Sequence, residues 1–94
     1  MTTATPAFAA CEALFTAHPD AVTDDGDAGQ VMNVTIADIA GTIGFSRVRL
    51  VRHDTAMGIF YRLYPPDEDL AILTIARDSA FGEIAQDLAE AVVR

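Results

Sequence analysis

The feature that most constrains this chain is a trio of apolar runs in its second half. They are 47–53 (RVRLVRH), 58–64 (GIFYRLY) and 70–76 (LAILTIA), joined by DTAM and PPDED. The runs are rich in Val, Ile, Leu, Phe and Tyr, and the joints carry turn-forming residues, the pattern of consecutive strands linked by short connections. Within the second run, Ile59, Tyr61 and Leu63 fall on one face and Phe60, Arg62 and Tyr64 on the other. Pro65-Pro66 offers no ladder donor, so that strand has to end there. Residues 47–76 therefore read as an antiparallel meander.

The flanks read as helices. Thr5-Pro6 is a helix start, with Thr as cap and Pro at the first helical position, where its missing N–H costs nothing. Phe8, Cys11 and Phe15 follow on one stripe with Leu14 beside them, and Pro19 stops the element, giving a helix over 5–18. The polar stretch 19–29 (PDAVTDDGDAG) is a connection, with at most a short strand at 21–23. Beyond it, Met32, Ile36, Ile39 and Ile43 recur at i, i+4, i+7 and i+11, which predicts a helix over 31–43 ending at Gly44. Ser79 offers the cap for a last helix over 80–92, with Phe81, Ile84, Leu88 and Val92 inward and Glu83, Gln86, Asp87 and Glu90 in water. The expected fold class is α+β. A single domain, 1–94, holds an antiparallel β-meander of three or more strands, with two N-terminal helices and one C-terminal helix packed on it.

Charge is distributed unevenly. The net charge is -8, yet residues 47–62 hold Arg47, Arg49, Arg52 and Arg62 against Asp54 alone. Residues 1–46 carry six acids and no Lys or Arg, and 63–94 carry seven acids against Arg77 and Arg94. An acidic body repels nucleic acid and anionic membrane at long range, while the arginine-rich stretch retains the means for a local anion or partner contact. Cys11 stands alone, so no disulfide framework forms, which fits a reducing compartment. No basic segment precedes the first apolar stretch and no apolar run reaches about 18 residues, so the expected location is the cytoplasm.

Known chemistries find no purchase. Counted from Gly26, a calcium loop has Asp25 in place, but Thr23 and Ala21 stand at earlier ligand positions and Met32 replaces the closing Glu. His18, His53 and Cys11 are the soft metal ligands, and no two share an element at ligand spacing. Ser46 and Ser79 sit where they start elements, and Cys11 lies on an apolar stripe as a small core residue. No glycine-rich phosphate loop is present, and Glu83 with Asp87 lies on a wet helix face. The expectation is a chain that is not an enzyme and carries no cofactor and no metal.

Two resemblances share residues. The segment 35–53, TIADIAGTIGFSRVRLVRH, resembles the helix-turn-helix of Lac-repressor-type regulators, with Ile39-Ala40 in the first helix, Gly44 in the turn and a reading helix from Ser46. That resemblance implies a DNA-binding regulator in which Arg47, Arg49 and Arg52 meet phosphates or guanine edges and 58–76 forms a wing. Residues 45–94 resemble the C-terminal half of the roadblock family, dynein light-chain roadblock and its prokaryotic relatives. The likeness is carried by strands such as Val48–Arg52, Gly58–Tyr64 and Leu70–Ala76, then Phe81-Gly82 opening a helix with Ile84, Asp87 and Leu88. For the family's first hairpin only residues 19–30 remain. The resemblance implies a homodimer joined through the 31–43 helix and the first meander strand, with sheets continuing across the interface, in a regulatory module that binds a protein partner such as a small GTPase.

The leading expectation is thus a non-enzymatic, roadblock-like interaction module. Its interface residues are Arg47, Arg49, Val51, Arg52 and His53 on the strand and Ile36, Ile39 and Ile43 on the helix. The strand at 47–53 ends the expected meander, so its free edge should seek pairing. Besides the DNA-binding regulator, the charge permits a small acidic inhibitor that covers a basic surface with Asp20–Asp27 and Asp67–Asp69.

Overall fold

The computed structural model describes residues 5–24, 29–36, 47–78 and 88–93. They form one helix and an antiparallel sheet: α1 (Pro6–Ala17), β1 (Thr23–Asp24), β2 (Gln30–Thr35), β3 (Arg47–Thr55), β4 (Gly58–Tyr64), β5 (Leu73–Ile75) and β6 (Val92–Val93). The strands run in the order β1-β2-β3-β4-β5, and β6 pairs with β2. β1 takes Gln30 and Val31 at the start of β2, and β6 takes Val34 and Thr35 at its end, so both short strands share the edge that β3 leaves free.

Helix α1 follows the sequence closely. Pro6 occupies the first turn, Ala7, Phe8, Cys11 and Leu14 are buried, and Pro19 ends the helix in a 3-10 turn over Pro19–Ala21. The Thr5 amide donates to the Arg77 carbonyl at 3.0 Å, fixing the helix start beside the end of β5. Phe8 meets the Tyr61 ring edge-on at 5.2 Å and Phe15 meets it tilted at 5.5 Å, so α1 lies across β4.

The helix expected over 31–43 is corrected: its first residues are β2. Met32, Val34 and Ile36 are all fully buried, whereas Asn33 between them is exposed. A spacing of four, as between Met32 and Ile36, fits a strand's period of two as well as a helix. The β-branched Val31, Val34, Thr35 and Ile36 then favour the pleated form. The remainder of that helix, with Ile39 and Ile43, lies outside the described residues.

The C-terminal helix over 80–92 is also corrected. Its far end, Val92–Val93, is a strand paired with Val34 and Thr35, a β-branched pair completing an open ladder. Leu88 and Ala89 are helical and Leu88 is buried in the core, while 79–87 lie outside the described residues. The α+β class stands; among the described residues α1 is the one complete helix, and a longer sheet takes the place of the expected three helices on a three-stranded meander.

The meander itself holds. β3 and β4 pair from Arg49↔Tyr64 to Thr55↔Gly58, and β4 pairs with β5 from Tyr61↔Ile75 to Leu63↔Leu73. The third run is shorter than expected, Leu73–Ile75, because its first residues, Leu70 and Ala71, belong to the exposed loop. The short strand in the 19–29 connection falls at Thr23–Asp24, two residues later than expected. Gly29 enters β2 at φ 100, and a side chain there would run into the Arg52 carbonyl; both conditions require glycine.

Candidate protein-interaction face

Residues directly opposite one another in an antiparallel pair share a face of the sheet. Met32, Leu50, Leu63 and Leu73 therefore share one face, and with Val34, Val48, Tyr61 and Ile75 they make the core beneath α1. The alternate residues make the other face, arranged in rows across the strands. One row is Asn33–Arg49–Tyr64, the next Val31–Val51–Arg62–Thr74, and the last His53–Phe60, with Thr35–Arg47 at the opposite end.

This face pairs cations with aromatic rings. The Arg49 guanidinium sits 5.2 Å from the Tyr64 ring centre and the Arg62 guanidinium 5.0 Å from that of Phe60. His53 stacks on Phe60 with centroids 4.8 Å apart and planes 17° apart. Such contacts hold long side chains flat and lower the entropy lost when a partner docks. Arg49 also donates to the Glu68 carbonyl, which ties the β4–β5 loop to one end of the face. Arg49, His53, Phe60, Arg62 and Tyr64 are half-buried and Arg47 is exposed. Val51 is only 4% exposed, an apolar centre among these polar groups.

Burial, with the Arg62 charge nearby, holds the His53 imidazole below its ordinary pKa. The ring is therefore neutral at neutral pH, and the charge of the face comes from Arg47, Arg49 and Arg62. No acidic side chain shares it among the described strand residues. In a chain of net charge -8, this is a segregated positive surface.

The interface residues expected from the sequence divide between the two faces. Arg47, Arg49, Val51 and His53 lie together on the arginine–aromatic face. Arg52 lies on the core side, at its rim, where Nη1 is 3.3 Å from Gln30 Oε1 and 3.9 Å from an Asp54 carboxylate oxygen. Ile36 is a core residue, fully buried and not offered to a partner. Strand β3 is internal, paired to β2 on one side and β4 on the other, so it has no free edge to extend a sheet into a second copy. Its extended backbone also removes the reading helix of the DNA-binding alternative at Arg47–Thr55.

Neither a protein-family model, nor a curated protein, nor a solved structure matches this chain. The site is therefore read from its own chemistry. Phe60, Arg62 and Tyr64 belong to it although they were not among the expected interface residues. The signal was present in the alternation of GIFYRLY: its outward set, Phe-Arg-Tyr, stands opposite the outward set Arg-Val-His of the preceding strand.

Cys11 is fully buried, and burial, with Glu12 adding to it, pushes its thiol up to about 12, so almost no thiolate forms. Burial likewise pushes the Tyr61 phenol up to about 12, although the Arg52 guanidinium pulls the other way. No cluster of three or more His, Cys, Asp or Glu suited to a metal ion occurs among the described residues. No helix among them is long and apolar enough to cross a membrane. Ser46, Ser79 and the aspartates 25 and 27 lie outside the described residues.

Proposed function

We propose that this chain is a non-enzymatic binding module whose arginine–aromatic sheet face docks an acidic segment of a protein partner. One observation carries the reading: three arginines, two of them laid against aromatic rings, share a face that holds no carboxylate among the described strand residues, in a chain of net charge -8. Partly desolvated arginines and aromatics are the residue types that dominate binding energy at protein interfaces. Arginine forks recognise carboxylates in pairs, and ring stacking pre-orients them. Nucleic acid also uses arginine and aromatic platforms, but the field of the whole chain opposes a polyanion. A short acidic peptide that occupies only this face meets less of that field, because screening at physiological salt acts within about 8 Å.

The test is fluorescence anisotropy with labelled acidic peptides containing one or two aliphatic residues, a basic peptide and a single-stranded oligonucleotide. The acidic peptides should bind with an affinity that falls as salt rises, and Arg62→Gln should weaken them. Tighter binding of the oligonucleotide, or acidic-peptide binding unchanged in Arg62→Gln, overturns the proposal.

A further inference from the structure

The loop between β4 and β5 holds features that its role as a connection does not explain. Residues 66–70 (PDEDL) are all exposed, and Leu70 is 80% exposed, an apolar side chain raised beside three consecutive acids. The carboxylates of Asp67, Glu68 and Asp69 make no ion pair among the described residues; the loop is held instead through the Glu68 backbone carbonyl, by Arg49. The loop thus sits at one end of the arginine–aromatic face with its acids unspent. Three carboxylates and one leucine match that face in kind, with three arginines and the Phe60 ring as their counterparts.

We propose that the occupant of the face is a second copy of this chain, each copy laying its 66–70 loop on the other's face. The proposal rests on the reading of that face as a docking surface for acidic segments. Geometry selects the arrangement. The loop lies at the Arg49–Tyr64 end of the face, and the His53–Phe60 row lies at the far end. A two-fold axis along the strands through β3 would carry each loop to the β2 side of the partner, away from the Phe60 ring. A two-fold axis across the strands sets each loop over the partner's Phe60 and Arg62, with Leu70 on the ring and the carboxylates at the guanidinium. The contact is then isologous and closes as a dimer. Each loop's carboxylates then meet the partner's Arg62, while Arg47 and Arg49 stay at the end that holds their own chain's loop. The same contact regulates the face: a dimer presents no free face, and an acidic partner must compete with the loop.

Sedimentation velocity across a concentration series, at low and physiological salt, tests this. The wild-type chain should form a dimer that weakens with salt. Asp67→Asn with Asp69→Asn, and separately Leu70→Ser, should each raise the dimer dissociation constant at least about tenfold, the equivalent of about 1.4 kcal/mol. These substitutions lie on an exposed loop, so circular dichroism should be unchanged. A peptide of sequence YPPDEDLA should dissociate the wild-type dimer without any substitution in the protein. Loop variants should keep their affinity for labelled acidic peptides while losing the dimer, and Arg62→Gln should lose both. A chain that stays monomeric at millimolar concentration while binding acidic peptides overturns this inference and spares the proposed function. So does a dimer indifferent to the loop variants and to the peptide. Failure of every acidic peptide to bind overturns the proposed function as well.

Discussion

Replacing Val34 by alanine separates a strand at Gln30–Thr35 from a helix over the same residues, because the two predict opposite signs. In the strand, Val34 is 1% exposed, faces the core and stands opposite the fully buried Val48. Removing two carbons forfeits about 1.6 kcal/mol of transfer free energy at ~0.8 kcal/mol each. Incomplete collapse around the gap adds roughly 24 cal/mol per Å³ of residual cavity, and the loss of a β-branched residue adds a few tenths, for a total of about 2–3 kcal/mol. A domain of this length holds about 5–14 kcal/mol, so the variant stays folded in buffer. In a helix with Met32, Ile36, Ile39 and Ile43 inward, Val34 would lie about 200° from Met32 on the wet side. There alanine would be neutral or would stabilise by a few tenths of a kcal/mol, through helix propensity. Urea denaturation followed by circular dichroism reads the difference. With a slope of roughly 1.5 kcal/mol/M the midpoint should fall by about 1–2 M, and the control Asn33→Ala, exposed on the other face, should move stability by no more than about 0.5 kcal/mol. A Val34→Ala midpoint equal to or above wild type would refute the register and the face assignment built on it.

Four further outcomes are expected. Gly29→Ala should cost more than Gly58→Ala: both have positive φ, 100 and 124, but only the first aims a new Cβ at a backbone carbonyl, and thermal denaturation of the pair gives the order. His53 is held below its usual pKa of 6.5, so the folded state binds fewer protons than the unfolded one. Stability should then be fully present above that value and fall as pH drops below it, a slope that His53→Gln removes in denaturation curves taken from pH 7.5 downward. Cys11, with its thiol pushed up to about 12, should resist a thiol reagent at pH 8 in the native protein and react at once in denaturant. Arg62→Gln should raise the His53 pKa measured by proton NMR, since it removes a neighbouring positive charge; an unchanged value would show the two side chains do not share the face as described.

The half of the candidate site on β3 was legible because strand alternation alone separates Arg49, Val51 and His53 from Val48, Leu50 and Arg52. The half on β4 was equally visible as a face, but its link to β3 required the register, which depends on the turn at Ala56-Met57 and on Gly58 at φ 124. Arg52 shows the limit most plainly. It reads as one more arginine of a basic strand, yet its parity places it on the core side, between Gln30 and Asp54.

Sequence by itself determined the elements whose signals are local and unambiguous. Pro6 and Pro19 bracket α1, and runs of β-branched and aromatic residues mark β3 and β4. These choices are made within a few residues by sterics and missing donors, before any distant contact forms. Tertiary structure decided β2, β6 and the place of β3 in the sheet. Met32 and Ile36 satisfy two periods at once, and what resolves them is the ladder of β3, which offers six partners to Gln30–Thr35 and buries Met32 and Val34 under α1. That pairing turns β3 from an edge into an interior strand. It converts a proposed sheet-to-sheet dimer into a face on which arginines lie against aromatic rings, because ladder bonds are a long-range choice that no short window of sequence contains.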